Sequence, residues 1–146
     1  MNGPVDIRRG RTRNVSGEGE SCFYRAIAYQ LCEQSGAYYD DRHQVDSLRM
    51  RTRTWLEQNA GRIVPANPLL KWKDIGPYSG GAAVAPVPQA MPYVVHRPIV
   101  VLIGTRGDSG ELEMIYGKEL PGEPLVVRLH AQHYKIEYRA AAPLQW

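Results

Sequence analysis

Two side chains carry most of the chemistry this sequence offers: the thiol of Cys22 and the imidazole of His133. Nucleophilic cysteine chemistry needs such a pair within hydrogen-bond reach, because the imidazole takes the thiol proton and later returns one to the leaving amine. Separation along the chain is no obstacle, since these partners meet only in the fold. Cys22 follows a turn-forming run, Ser16-Gly17-Glu18-Gly19-Glu20-Ser21, and opens a stretch in which Phe23, Ala26, Ile27 and Leu31 recur at helical spacing. A thiol in the first turn of a helix lies beside unpaired backbone N–H groups and the positive end of the dipole, a setting that favours thiolate. Taken alone, a cysteine at a helix start also reads as a small buried hydrophobe. His133 shifts the balance, because it stands beside Tyr134 on a strand near the end of the chain.

The elements that must position this pair follow from periodicity. A first helix is predicted over residues 22–32, broken by Ser35-Gly36, with a short strand over Thr12 to Val15 feeding the glycine loop. A second helix is predicted over residues 40–59. It carries Val45, Leu48, Thr52, Trp55 and Leu56 on one face, acidic residues Asp40, Asp41 and Asp46 towards its N-terminus, and Gly61 as a stop. Arg49, Arg51 and Arg53 fall mostly off the apolar face and read as solvated surface. Between Pro65 and Pro92 stand six prolines, and Pro86 and Pro88 argue against a long regular helix. Irregular loops are expected there, with short helical turns around Trp72 and over residues 89–96. The last third alternates like strands: a buried one over Pro98 to Gly104, then Glu111 to Tyr116, Leu125 to Leu129, and His133 to Tyr138. In the last of these Tyr134, Ile136 and Tyr138 share one face, and His133, Lys135 and Glu137 the other. The sum is an α+β domain, helices packed on a small, mainly antiparallel sheet.

Composition sets bounds on function. The chain has 146 residues, 43% hydrophobic and 23% charged, which suits one domain with one core. No apolar run approaches the ~18 residues of a membrane span, and the N-terminus lacks a secretory apolar segment. On one helix, Cys22 and Cys32 would have Cα atoms roughly 15 Å apart, too far for a disulfide. Two free thiols point to a reducing compartment, and a structural zinc site lacks its ligands. The net charge of +3 is carried by arginine far more than lysine. Arg8, Arg9, Arg11 and Arg13 could bind phosphates, but without aromatic interleaving they read as a flexible basic arm over residues 1–13.

The run Gly19-Glu20-Ser21-Cys22-Phe23-Tyr24-Arg25-Ala26-Ile27 resembles the Asp-Gly-Asn-Cys-Leu-Phe-Arg-Ala-Ile motif of the ovarian tumour (OTU) class of papain-like cysteine proteases, most of which are deubiquitinases. Tyr78-Ser79-Gly80-Gly81 is similar to that family's Trp-Gly-Gly, Pro98-Ile99-Val100-Val101 to its Pro-Ile-Val-Val strand, and His133-Tyr134-Lys135 to its terminal His-Tyr-Asp. The resemblance spans residues 14–138 and implies a papain-like OTU domain over residues 14–146. It implies Cys22 as nucleophile, His133 as general base, and backbone N–H groups of Cys22 and the Gly19, Glu20 and Ser21 loop as oxyanion hole. Gly80 and Gly81, with Tyr134, would line the slot for ubiquitin's Gly-Gly tail. No metal or cofactor is required.

Two positions depart from the family pattern. Gly19 stands where the family has Asp, unless Glu18-Gly19 serves with one residue inserted. Lys135 stands where an acid or amide normally orients the imidazole, and an ammonium cannot accept its proton. Glu137 lies about 13 Å away along the strand, too far for contact. Some relatives draw the third member from a strand upstream of the cysteine loop, which makes Asn14 the candidate and Asp6 the reserve. The expected activity is hydrolysis of isopeptide bonds to ubiquitin or a ubiquitin-like modifier, by a monomer without membrane or nucleic-acid partners. The expected setting is cytosolic, in a host cell if the domain comes from a bacterial effector or viral polyprotein. Three alternatives remain: a ubiquitin-binding pseudo-protease, a papain-like deamidase or transglutaminase, and a nucleic-acid binder acting through the arginine arm.

Overall fold

The computed structural model describes residues 11–18, 21–59, 86–104, 110–131 and 133–138. Strand β1 (Arg11–Arg13) comes first, so three residues assigned by sequence to the basic arm belong to the sheet. The rest of the arm, residues 1–10, lies outside the described residues. Helix α1 (Cys22–Ser35) starts at the cysteine and ends on Gly36, whose φ of 72° is the left-handed conformation that glycine adopts at no steric cost. It runs three residues past the predicted end and is buried nearly all round, with Phe23, Tyr24, Ala26, Ile27, Ala28, Gln30 and Cys32 all in the interior. Its one fully buried amide, Gln30, donates to the carbonyls of Ala26 and Val126 at 3.1 Å and accepts from the Val126 N–H at 3.4 Å.

Helix α2 (Asp41–Gln58) is capped by Asp40, whose side chain accepts from the His43 N–H. Val45, Leu48, Thr52 and Leu56 form its buried face. Helix α3 (Pro86–Val95) is longer than the short turn expected there. Pro86 and Pro88 occupy its first turn, where the N–H groups lack intrahelical acceptors in any case, so they start the helix rather than forbid it. Pro92 sits inside it, near the end. Trp72, where another turn was expected, lies outside the described residues. α2 and α3 meet through stacked rings of Trp55 and Tyr93, 5.2 Å between centroids.

Strands β2 (Ile99–Ile103), β3 (Leu112–Tyr116), β4 (Leu125–His130) and β5 (His133–Tyr138) complete a five-stranded sheet in the order β1-β5-β4-β2-β3. Three of its pairings are antiparallel and the β2–β4 pairing is parallel, so the sheet is mixed. Ile99, Val101, Leu125, Val127, Tyr134 and Ile136 enter the main core together with the helices. On the other face, the buried guanidinium of Arg128 pairs with Glu137 at 3.1 Å and also reaches Glu111 and the Gly104 carbonyl. Glu137 also accepts from the Thr12 hydroxyl at 3.0 Å, which fastens β1 to β5. No helix among the described residues is long and apolar enough to cross a membrane.

Candidate active site

The site is assembled by two dipeptides, Cys22-Phe23 at the head of α1 and His133-Tyr134 at the start of β5. Phe23 and Tyr134 are buried and their rings meet at 4.8 Å in the core. Aromatic contact of this kind fixes both main chains, so the neighbours Cys22 and His133 share one end of the sheet. The Tyr134 N–H donates to Cys22 Sγ at 3.4 Å. That amide belongs to the peptide bond joining His133 to Tyr134, which sets the sulfur against the backbone of the histidine. Cys22 is buried, as is Cys32, and both are free thiols.

His133 Nε2 lies 2.8 Å from Asn14 Oδ1. A carbonyl-type oxygen only accepts, so Nε2 carries the proton and Nδ1 of the neutral ring keeps its lone pair. The opposite edge of the ring faces Gly17, where a Cβ would stand 3.5 Å from Nδ1 and 3.6 Å from Cε1. The imidazole is thus held on one nitrogen by a side chain and flanked on the other by bare backbone. Asn14 reaches it because β1 pairs with β5 in the register Arg13 opposite Ile136, which carries the chain after β1 along the start of β5.

The remaining predicted residues divide cleanly. Ser21 is buried at the N-cap of α1. Tyr134 is a core residue whose hydroxyl is pushed up in pKa by burial, then by Tyr116 and Cys22, so its ring is enclosed rather than open to a substrate. Lys135 sits across from Arg128, and Glu137 is committed to the ion pair with it, so neither orients His133. Gly19, Glu20, Gly80, Gly81 and Asp6 lie outside the described residues.

Arg49, Arg25 and Gly17, to which the sequence reading gave no role in the site, stand around the cysteine loop. Arg49 donates to the Ser21 hydroxyl and lies over the Tyr24 ring, so it is part of this site rather than solvated surface. Burial pushes the Tyr24 hydroxyl up to about 12 in spite of that guanidinium. Arg51 likewise spends its guanidinium on the Val94 carbonyl at 2.7 Å, joining α2 to α3. Arg25 binds the carbonyls of Ser16 and Glu18. Gly17 was legible as part of a glycine-rich loop, but its contact with the ring was not. Beside Asn14 lies an open cleft of about 210 Å³ lined by Ser16, Glu18, Arg25, Tyr29 and Asp41 among others. A larger hollow of about 500 Å³ on the outer face of α2, lined by His43, Met50 and Arg51 among others, touches none of Cys22, His133 and Asn14. Among the described residues no group of three His, Cys, Asp or Glu side chains could hold a metal ion.

Known protein families and characterised proteins show no match to the sequence. Solved structures do. The viral OTU domain protease from Dera Ghazi Khan virus superposes with a TM-score of 0.63 at 18% identity, over 86% of this chain and 78% of that one. The fold is OTU-like. The OTU domain of OTUD1 gives 0.60 at 18% identity, over 86% and 83%. At that identity the likeness speaks for the arrangement of helices and strands, and the chemistry has to be argued from the residues.

Proposed function

We propose that this domain is a cysteine-type deubiquitinase that hydrolyses isopeptide bonds to ubiquitin or a ubiquitin-like modifier, with Cys22 as nucleophile, His133 as general base and Asn14 as the residue that orients it. The observation that carries this reading is the convergence of Cys22 Sγ and Asn14 Oδ1 on the backbone and ring of one residue, His133. The OTU-like neighbours support it at the level of fold.

In the proposed reaction Nδ1 of His133 takes the thiol proton as sulfur attacks the isopeptide carbonyl carbon. The carbonyl π electrons move to oxygen, and N–H groups of the Gly19, Glu20, Ser21 and Cys22 backbone receive the oxyanion. Collapse breaks the C–N bond, the imidazolium returns its proton to the lysine amine, and the acyl group remains on Cys22 as a thioester. Water, deprotonated by the same Nδ1, then releases the carboxylate and the thiol. Asn14 keeps the proton on Nε2 throughout and so keeps Nδ1 available. Gly80 and Gly81 are proposed to form the slot for the modifier's tail, in a monomer acting in the cytosol, of a host cell if it is an effector or viral protein.

The test is a ubiquitin probe with an electrophilic C-terminus together with a fluorogenic ubiquitin amide. Wild type is expected to be labelled and to turn over, and Cys22→Ala and His133→Ala to do neither. Binding of ubiquitin without labelling would mark a pseudo-protease, and undiminished turnover by Cys22→Ala would end the proposal.

A further inference from the structure

We infer that the backbone nitrogen of Tyr134 is a modification partner for Cys22: once a peroxide has oxidised the thiol, the two atoms close a sulfur–nitrogen bond that ties α1 to β5 and is reopened by a small thiol. The inference goes beyond the proposed activity, since it stands on the contact between the two atoms and on no particular substrate.

Two elements set the geometry. The Tyr134 N–H donates to Cys22 Sγ at 3.4 Å, within the separation of about 3–3.5 Å at which groups are poised to react. Successive residues of an antiparallel strand turn their N–H groups alternately to one side and the other. In β5 that of Tyr134 is aimed at the sulfur rather than at β4, and β1 pairs with β5 only from Ile136 onward. The nitrogen can therefore be bonded to sulfur with both pairings of β5 left in place. Cys22 is 5% exposed, and the ring contact of Phe23 with Tyr134 at 4.8 Å holds the two backbones together around it. The other thiol cannot compete. Cys32 lies ten residues further along α1, roughly 15 Å away by helical rise, which is beyond the reach of a disulfide.

The chemistry balances in three steps. The Cys22 thiolate attacks one peroxide oxygen, the O–O bond breaks, and sulfur becomes a sulfenic acid, two electrons having passed to the peroxide. The amide nitrogen then attacks sulfur, the S–O bond breaks, and the departing hydroxide takes the amide proton and leaves as water. Sulfur keeps its oxidation level in this step, so no second oxidant is used. An added thiol reverses the link: its sulfur attacks Sγ, the S–N bond breaks, the nitrogen regains a proton, and a second thiol frees Cys22 from the mixed disulfide. A sulfenic acid that finds no such partner meets further peroxide and becomes sulfinic acid, which thiols do not reduce.

The experiment treats the full chain with hydrogen peroxide in the absence of thiol, then reads the intact mass and the tryptic peptides. Wild type is expected to lose two hydrogen atoms, and residues 14–25, which hold Cys22, should emerge joined to residues 129–135, which hold Tyr134. Dithiothreitol should restore the original mass. Tyr134→Phe keeps the nitrogen and removes the phenol, so it should link as wild type does. Replacing Tyr134 by its α-hydroxy acid analogue puts an ester oxygen where the nitrogen stood and keeps the side chain. That protein should give no joined peptides, and its Cys22 should carry sulfinic acid that dithiothreitol leaves in place. Oxygen on wild-type Cys22 with no joined peptides would overturn the assignment, as would joined peptides from the ester analogue or their loss in Tyr134→Phe. The wild-type peptides decide the matter should the analogue fail to fold. If wild type links but the ubiquitin probe does not label it, the deubiquitinase reading fails and the link stands. If the probe labels it but peroxide only adds oxygen, the link fails and the enzyme reading stands.

Discussion

Replacing Asn14 by alanine isolates the one hydrogen bond that fixes the candidate base. The Nε2–Oδ1 distance of 2.8 Å is that of a well-made bond, and it is made in both protonation states of the ring. While the imidazole is neutral, such a bond contributes about 0.5–1.5 kcal/mol; once the ring is a cation it contributes about 1.5–3 kcal/mol. The transition state for thiol acylation has the ring becoming cationic, and since the bond is also made beforehand only the difference, about 1–1.5 kcal/mol, reaches the barrier. At 1.36 kcal/mol per tenfold, Asn14→Ala should lower kcat/KM roughly 5- to 13-fold. That is less than the ~10⁴-fold seen when a charged triad member is neutralised, because an amide offers no full charge to the imidazolium. The loss should appear in kcat with KM unchanged, measured by initial rates on a fluorogenic ubiquitin amide at fixed ionic strength. Asn14 is exposed, so the melting temperature should move little. Wild-type kcat in Asn14→Ala would refute the orienting role, and a loss as complete as that of His133→Ala would show that the bond does more than orient.

Other consequences are open to measurement. Glu137→Gln leaves the Arg128 guanidinium, 7% exposed, without its carboxylate partner on β5, and should cost about 3 kcal/mol in urea unfolding, with Glu111 limiting the damage. The pair Arg128→Met with Glu137→Leu should recover most of that loss. Gly117→Ala should destabilise by about 2–4 kcal/mol, since φ is +65° and the new Cβ would stand 2.4 Å from the Pro92 ring. Gly17→Ala makes only an ordinary contact with the His133 ring and should keep near wild-type rates, whereas Gly17→Val should displace the ring and lower kcat about tenfold at unchanged melting temperature. The Asp41 carboxyl lies below its ordinary value of 3.8 in the fold, so its contribution is full above that value and is lost only as pH falls through the lower one. From about pH 5 to 9, Asp41→Asn should therefore lower stability in urea unfolding by a constant amount, and by less once the pH falls below 3.8.

The head of α1 and the whole of β5 were legible because each shows its period within one short run: Phe23, Ala26 and Ile27 at helical spacing, and Tyr134 and Ile136 at alternate positions. The meeting of their first residues was legible only as a requirement of the chemistry. The third position narrowed to Asn14 or Asp6 once Lys135 was set aside, and pairing of β1 with β5 is what brings Asn14 to the ring. Helix α3 was under-read because prolines count against a helix everywhere except its first turn, where two of these three stand. The parallel pairing of β2 with β4 leaves no mark in alternation, which reports the face of a residue and not its neighbour. Arg49 and Arg51 were misjudged, and the contacts of Arg25 went unread, for one reason. A guanidinium off the apolar stripe reads as solvated until the backbone or side-chain acceptors that receive it are known, and those acceptors lie in other segments.

β1 is three residues long, forms the outer rim of the sheet, and is exposed along its whole length. Short rim strands of this kind fray at a small fraction of the global unfolding free energy. In this molecule fraying carries off Asn14 while leaving Cys22, Phe23, His133 and Tyr134 in the interior or beside it. On the proposed role of Asn14, the domain would then lose rate while still folded. Amide exchange at residues 11–13 should track catalytic rate more closely than any melting temperature does.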